Sequence, residues 1–143
     1  MSRSPHELLL QLRSLHERLS RRDLGQAVSN AALADVLVAR SERALTASRL
    51  PVHSTPEQFL ASAAARNSLA TLLVVNRASA SAAHDGVRAA SEAWRAKERE
   101  REAAEHLVAA EAERRAEERR AAEQRETDDL SSARHRRDHG GAS

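Results

Sequence analysis

PEQFLASAAARNSLATLLVVNRASASAAHDGVRAASEAW, residues 56–94, decides how this chain folds. Steps of seven from Phe59 reach Arg66, Leu73, Ala80, Val87 and Trp94, and the row runs on to Arg101 and Val108. A second row, Leu69, Asn76, Ala83, Ala90, Lys97 and Ala104, falls between them. Alternating steps of three and four residues are the a/d spacing of a coiled-coil seam. The rows keep phase through the Ala/Ser-rich run that ends in His84-Asp85-Gly86. The spacing therefore favours one helix from Pro56 to about Arg134, continuous through Gly86, over the alternative of a second break at His84-Asp85-Gly86. Its seam is mostly apolar as far as Trp94 and thins after Val108.

Only the segment before Pro51 is long enough to cover that seam. It opens with Ser4-Pro5-His6-Glu7, a cap, a proline suited to the first helical position and a glutamate that completes a capping box. Leu8, Leu12, Leu15 and Leu19 then mark one face at heptad spacing. The pattern slips around Arg21–Gly25 and resumes as Leu24, Val28, Ala31, Val38 and Leu45, which reads as a stutter within a continuous helix. Pro51 disfavours helix at the residue before it, and Thr55-Pro56-Glu57-Gln58 starts a new one. A short connection between two helices implies antiparallel neighbours.

The expected fold is all-α, a long antiparallel two-helix coiled-coil hairpin with a longer second helix. Residues 1–134 form one hairpin, with helix one at about 5–48, a turn at about 49–55 and helix two at about 56–134. Residues 135–143 form a frayed tail. The expected core seam is Leu8, Leu12, Leu15, Leu19, Leu73, Val87 and Trp94. With the fold point near His53, Leu45 faces Ala61, Leu12 faces Trp94 and residue 1 faces Glu105. Everything beyond Glu105 then lacks an intrachain partner.

Composition narrows the function. The 143 residues include two aromatics, Phe59 and Trp94, with no Tyr and no Cys. Aromatic side chains supply much of the area of compact cores, so burial rests on a thin Leu/Val/Ala stripe and an enzyme-sized pocket is not expected. Without Cys there are no disulfides and no thiolate metal sites. The run Leu8–Leu10 is too short for a signal segment or a membrane span, which points to a soluble cytoplasmic protein. Net charge is +2, and the high isoelectric point reflects arginines that do not titrate.

No nucleophile–base–acid set is visible, so the chain reads as a non-enzyme without cofactor or small-molecule substrate. His135 and His139 have helical metal-pair spacing, but Arg134, Arg136 and Arg137 surround them and oppose a cation. The same basic tail is a poor nucleic-acid site, because no aromatic interleaves it and Asp128, Asp129 and Asp138 flank it. From Arg95 to Arg125 the helix is mainly Arg, Glu and Ala. Glu111 with Arg115, Arg114 with Glu118 and Arg119 with Glu123 stand four apart, the spacing of solvent-exposed helical ion pairs. Phe59, in the first turn of helix two, is a candidate partner contact as well as a candidate packing residue.

The set Glu57-Gln58-Phe59, Trp94-Arg95-Ala96-Lys97 with Leu107, and Asp128-Asp129-Leu130 resembles the flagellar protein-export FliJ family in order and approximate spacing. The resemblance implies a two-helix coiled coil similar to the central stalk of rotary ATPases, in the bacterial flagellar type III export apparatus. Family members place the terminal end of the hairpin in the export ATPase ring and promote its turnover. They also contact the cytoplasmic domain of the export gate and handle export chaperones. That implies a cytoplasmic protein, peripheral at the inner-membrane export apparatus and serving motility. By analogy Phe59 lies on the gate-binding face, followed at helical spacing by Ala63, Arg66 and Ala70; Ala63 and Arg66 differ from the family's residues. In the overhang, Arg114, Arg115, Arg119 and Arg120 suit acidic ring loops, and Asp128 and Asp129 suit basic ones. The alternative reading is a generic coiled-coil scaffold or a nucleic-acid-associated protein.

Overall fold

In a computed structural model the described residues are 4–139, with side chains described as far as Arg137. They form two helices, α1 (Pro5–Ala47) and a longer α2 (Pro56–His139), paired as an antiparallel hairpin. Each helix starts where local chemistry dictates. At α1 the Ser4 Oγ accepts from the His6 N–H at 3.2 Å, while the Glu7 carboxylate accepts from the Ser4 N–H at 3.0 Å. At α2 the Thr55 Oγ1 accepts from the Gln58 N–H and the Gln58 Oε1 accepts from the Thr55 N–H, both at 3.2 Å. These reciprocal bonds satisfy backbone donors that the first turn leaves open.

Helix α2 passes through Gly86 without a break. No described residue has a positive φ, and open space surrounds the place where a Gly86 Cβ would sit. Glycine there costs backbone entropy with no compensating contact, so Gly86→Ala is expected to stabilise by about 1 kcal/mol. A rise in melting temperature checks this. The helix also outlasts its expected end. Residues 135–139, expected to fray, are helical, and residues 140–143 of that expected tail lie outside the described residues. Asp128 and Asp129 thus stand well before the last turn, beyond the reach of the unfavourable C-terminal dipole.

Two units are distinguishable, Ser14–Arg99, and Met1–Arg13 with Glu100–Ser143. In Ser14–Arg99 the packed row of α1 is Glu17, Leu24, Ala31, Val38 and Leu45, seven apart, with Ser20, Ala27, Ala34 and Ser41 between them. This is one unbroken heptad phase, so no stutter occurs at Arg21–Gly25. Facing it on α2 are Leu73, Ala80, Val87 and Trp94, with Leu69, Asn76, Ala83, Ala90 and Lys97 between them. Leu73 is 7 % exposed, and Val87 and Trp94 are partly buried.

The expected α1 seam is corrected by this pattern. Leu8, Leu12, Leu15 and Leu19 are 53, 48, 49 and 50 % exposed, and Val28 is 50 % exposed. Of the expected α1 row, Leu24, Ala31, Val38 and Leu45 do pack, while the leucines at 8, 12, 15 and 19 lie on a second heptad-spaced row that faces solvent. The row that packs contains Glu17, only 4 % exposed, which accepts a hydrogen bond from the Trp94 indole N–H at 2.8 Å and pairs with Arg21 at 2.8 Å. The Arg21 guanidinium lies 5.9 Å from the Trp94 ring centre, a cation–π distance. A second polar layer joins Asn76 Nδ2 to Ser41 Oγ at 2.6 Å. Buried polar groups are tolerated when partnered, and such layers fix register.

The register differs from the expected one for the same reason. Trp94 meets Glu17 and Arg21 rather than Leu12, and Leu45 meets Arg66 rather than Ala61. Helix α2 runs almost three turns, Pro56 to Arg66, before reaching the end of α1. The connection 48–55 spans that offset, since extended chain covers about 3.3 Å per residue against 1.5 Å in a helix. The fold point is therefore not at the middle of the connection.

In the other unit, Ala104 is 2 % exposed and Val108 and Glu111 are partly buried. Glu111 accepts from the Ser4 hydroxyl at 2.6 Å and lies 2.8 Å from the His6 ring Nδ1, while Arg13 pairs with Glu100 at 2.6 Å. The cap of α1 is thereby tied to α2. The covered part of α2 extends to Glu111, past the expected limit at Glu105.

Candidate functional site

At the connection end of Ser14–Arg99, Leu45, Leu50, Ala63, Arg66, Asn67 and Ala70 line a shared hollow of about 340 Å³. Three of the expected gate-face residues, Ala63, Arg66 and Ala70, are thus brought together. Phe59 is not among the lining residues and is 44 % exposed, one turn nearer the start of α2. Arg66 has a second task. Its guanidinium donates to the Leu45 carbonyl at 3.2 Å and to the Ser48 carbonyl. Helix α1 has no basic residue in its own last turn, so Arg66 supplies from across the hairpin the donor that the last carbonyls need. Sequence reading misses this because the partner lies on the other helix.

Beyond Glu111 the character of α2 changes. Every residue from Ala112 to Arg137 is exposed except Ala116 and Ala133, which are partly exposed. Along that run Arg115 reaches back to Glu111 at 2.6 Å, and Arg114 and Glu118 are 3.8 Å apart. The third expected pair, Arg119 with Glu123, is not formed, and Arg119 and Arg120 have no carboxylate partner among the described residues. Asp128 accepts from the Gln124 side chain at 2.9 Å, and Asp129 is exposed. The surface is thus a helix with arginines ahead of a carboxylate pair and no apolar row.

The Ser4–His6–Glu111 cluster marks where cover ends. The Ser4 hydroxyl and the His6 ring, with the Arg115 charge beside them, hold the Glu111 carboxyl below its ordinary value. A depressed carboxyl contributes stability that is present above its ordinary value and is lost as pH falls through the lowered one. The melting-temperature gap between the native chain and Glu111→Gln is therefore expected to shrink on acidification through that window. A gap that does not change with pH would remove the carboxylate from the cluster's role.

No group of three or more His, Cys, Asp or Glu able to hold a metal ion occurs among the described residues, and the side chain of His139 lies outside them. One 18-residue window of α2, of mean hydropathy 1.2, is long and apolar enough by composition to cross a membrane. The same helix carries the Asn76–Ser41 hydrogen bond and the Arg77–Glu42 ion pair to α1.

Among known proteins, the sequence model of the family described as flagellar FliJ protein matches residues 3–140. No curated protein and no solved structure matches.

Proposed function

The chain belongs to the flagellar FliJ family, a non-enzymatic component of flagellar export, and from that premise we propose that it is a coiled-coil stalk that binds and stimulates the export ATPase ring. The observation that supports this reading is the uncovered helix at 112–137, which has no intrachain seam to fill. Arg114, Arg115, Arg119 and Arg120 then meet acidic ring loops, and Asp128 and Asp129 meet basic ones. Mixed exposed charges suit a wet contact inside a ring, and such contacts weaken as salt rises because they are screened over about 8 Å at physiological ionic strength. At the other end, Phe59 with Ala63, Arg66 and Ala70 contacts the export gate, and export chaperones are further partners, all at the cytoplasmic face of the inner membrane.

The test is ATP hydrolysis by the purified cognate export ATPase, with the native chain and with a chain carrying Arg114→Glu, Arg119→Glu and Arg120→Glu together. These side chains are exposed, so the melting temperature is expected to hold while stimulation is lost. Equal stimulation by both chains would remove these arginines from the mechanism. No stimulation by the native chain would refute the stalk reading.

A further inference from the structure

Between Glu57 and Asp85 the side of α2 turned away from its seam carries no charged residue. The seam positions Leu73, Ala80 and Val87 fix which residues point outward. Ala64, Thr71 and Ala78 run along the middle of that outer side, with Leu60 and Val74 on one flank and Ser68 and Val75 on the other, all exposed. Leu60, Val74 and Val75 are 66, 66 and 54 % exposed. From Asp85 onward the same outward positions hold Asp85, Arg88, Glu92, Arg95 and Arg99, the chemistry of a solvated helix face. The arginines that do occur in the uncharged stretch are committed to α1. Arg66 donates to the Leu45 carbonyl, and Arg77 pairs with Glu42 at 2.9 Å. A helix that is uncharged on its outer side for about six turns has a face that water alone does not explain.

We propose that this face pairs with the same face of a second copy of the chain, antiparallel, about a two-fold axis at Thr71. No charge stands on it to meet an acidic or basic partner or a lipid headgroup. Asn67, Ser68, Thr71 and Ser81 interrupt it with polar groups that acyl chains do not match. Under the two-fold the face complements itself in size. Leu60 meets Ser81, Val75 meets Ser68, Val74 meets Asn67 and Ala64 meets Ala78, so no two large aliphatic side chains coincide. Small residues along the middle let the two helix axes approach to about 8 Å, the close end of helix packing. The Thr71 hydroxyl already donates to the Asn67 carbonyl at 3.0 Å, so it stays satisfied when covered. At each end Glu57 comes to the Asp85–Arg88 ion pair of the other copy, whose arginine offsets the like charges. The contact is about 33 Å long and one helix, about 10 Å, wide. That falls short of the roughly 800 Å² per partner of a standard stable interface, so the dimer dissociates on dilution. The expected gate residues Phe59, Ala63, Arg66 and Ala70 occupy other heptad positions and the proposed ring contact lies on residues 112–137, so the pairing and the stalk reading can fail separately.

Sedimentation velocity of the full chain is expected to show a monomer–dimer shift as concentration rises. Thr71→Glu, at an exposed position, sets two like charges on the axis and is expected to weaken dimerisation about tenfold or more without lowering the melting temperature of the monomer. Leu33→Glu, 62 % exposed on α1, is expected to leave dimerisation unchanged. The chain has no Cys, so introduced thiols report the register. Ala64→Cys and Ala78→Cys stand about 21 Å apart along the helix, beyond the roughly 7 Å between Cα atoms that a disulfide can bridge. On oxidation neither variant is expected to link to itself, and the mixture of the two is expected to form a linked dimer. A chain that stays monomeric at every concentration overturns the proposal, as does a dimer weakened by Leu33→Glu and not by Thr71→Glu. Self-linking of Ala64→Cys overturns the antiparallel two-fold. A monomer that cosediments with phosphatidylcholine vesicles, and no longer does so as Thr71→Glu, would give the face to lipid and overturns it too.

Discussion

Trp94→Ala is expected to destabilise the chain by about 3 kcal/mol, the lower end for truncating a large aromatic, because the ring is partly rather than fully buried. Two losses combine. The ring no longer fills the seam, and Glu17, 4 % exposed, loses the indole donor at 2.8 Å. Trp94→Phe separates them. It retains most of the ring and removes only the hydrogen bond to a charged acceptor, at about 1.5 kcal/mol. Urea unfolding of the three chains measures both steps. A cost below about 1 kcal/mol for Trp94→Ala would make the indole a surface group and would remove the Glu17–Trp94 layer from the determinants of register.

Leu73→Ala is the second large effect, at about 3 kcal/mol, because Leu73 is the large aliphatic residue that is buried among the described residues, at 7 % exposure. Leu15→Ala provides the contrast. Leu15 is 49 % exposed on the outer row of α1, and its truncation is expected to cost under about 1 kcal/mol. Thermal and urea unfolding of the pair decide which leucine row is the seam. Equal costs would restore the Leu8, Leu12, Leu15 and Leu19 row to the interface.

The arginine-rich end of α2 is legible in the sequence, since a helix of Arg, Glu and Ala without an apolar row has nothing to bury. Its starting point is not, because the tie between Glu111 and the α1 cap joins residues more than a hundred positions apart. Likewise Ala63, Arg66 and Ala70 are legible as one helical face, while the use of Arg66 as a cap for α1 is not.

The sequence by itself determined the two helices and the phase of α2. Pro51 and Pro56, with the Ser4 and Thr55 caps, act within a few residues, and the Leu73, Ala80, Val87 and Trp94 row is the most apolar that α2 offers. Tertiary structure decided the phase of the first half of α1 and the register. Two rows of equal spacing compete at the start of α1, where Leu8, Leu12, Leu15 and Leu19 look better alone, whereas from Leu24 to Leu45 the apolar pattern already marks the packed row. The winning row contains Glu17 and Ser41, whose burial is favourable only with Trp94 and Asn76 opposite them. A polar group's cost depends on a partner from the other helix, and that partner exists only once the hairpin has closed.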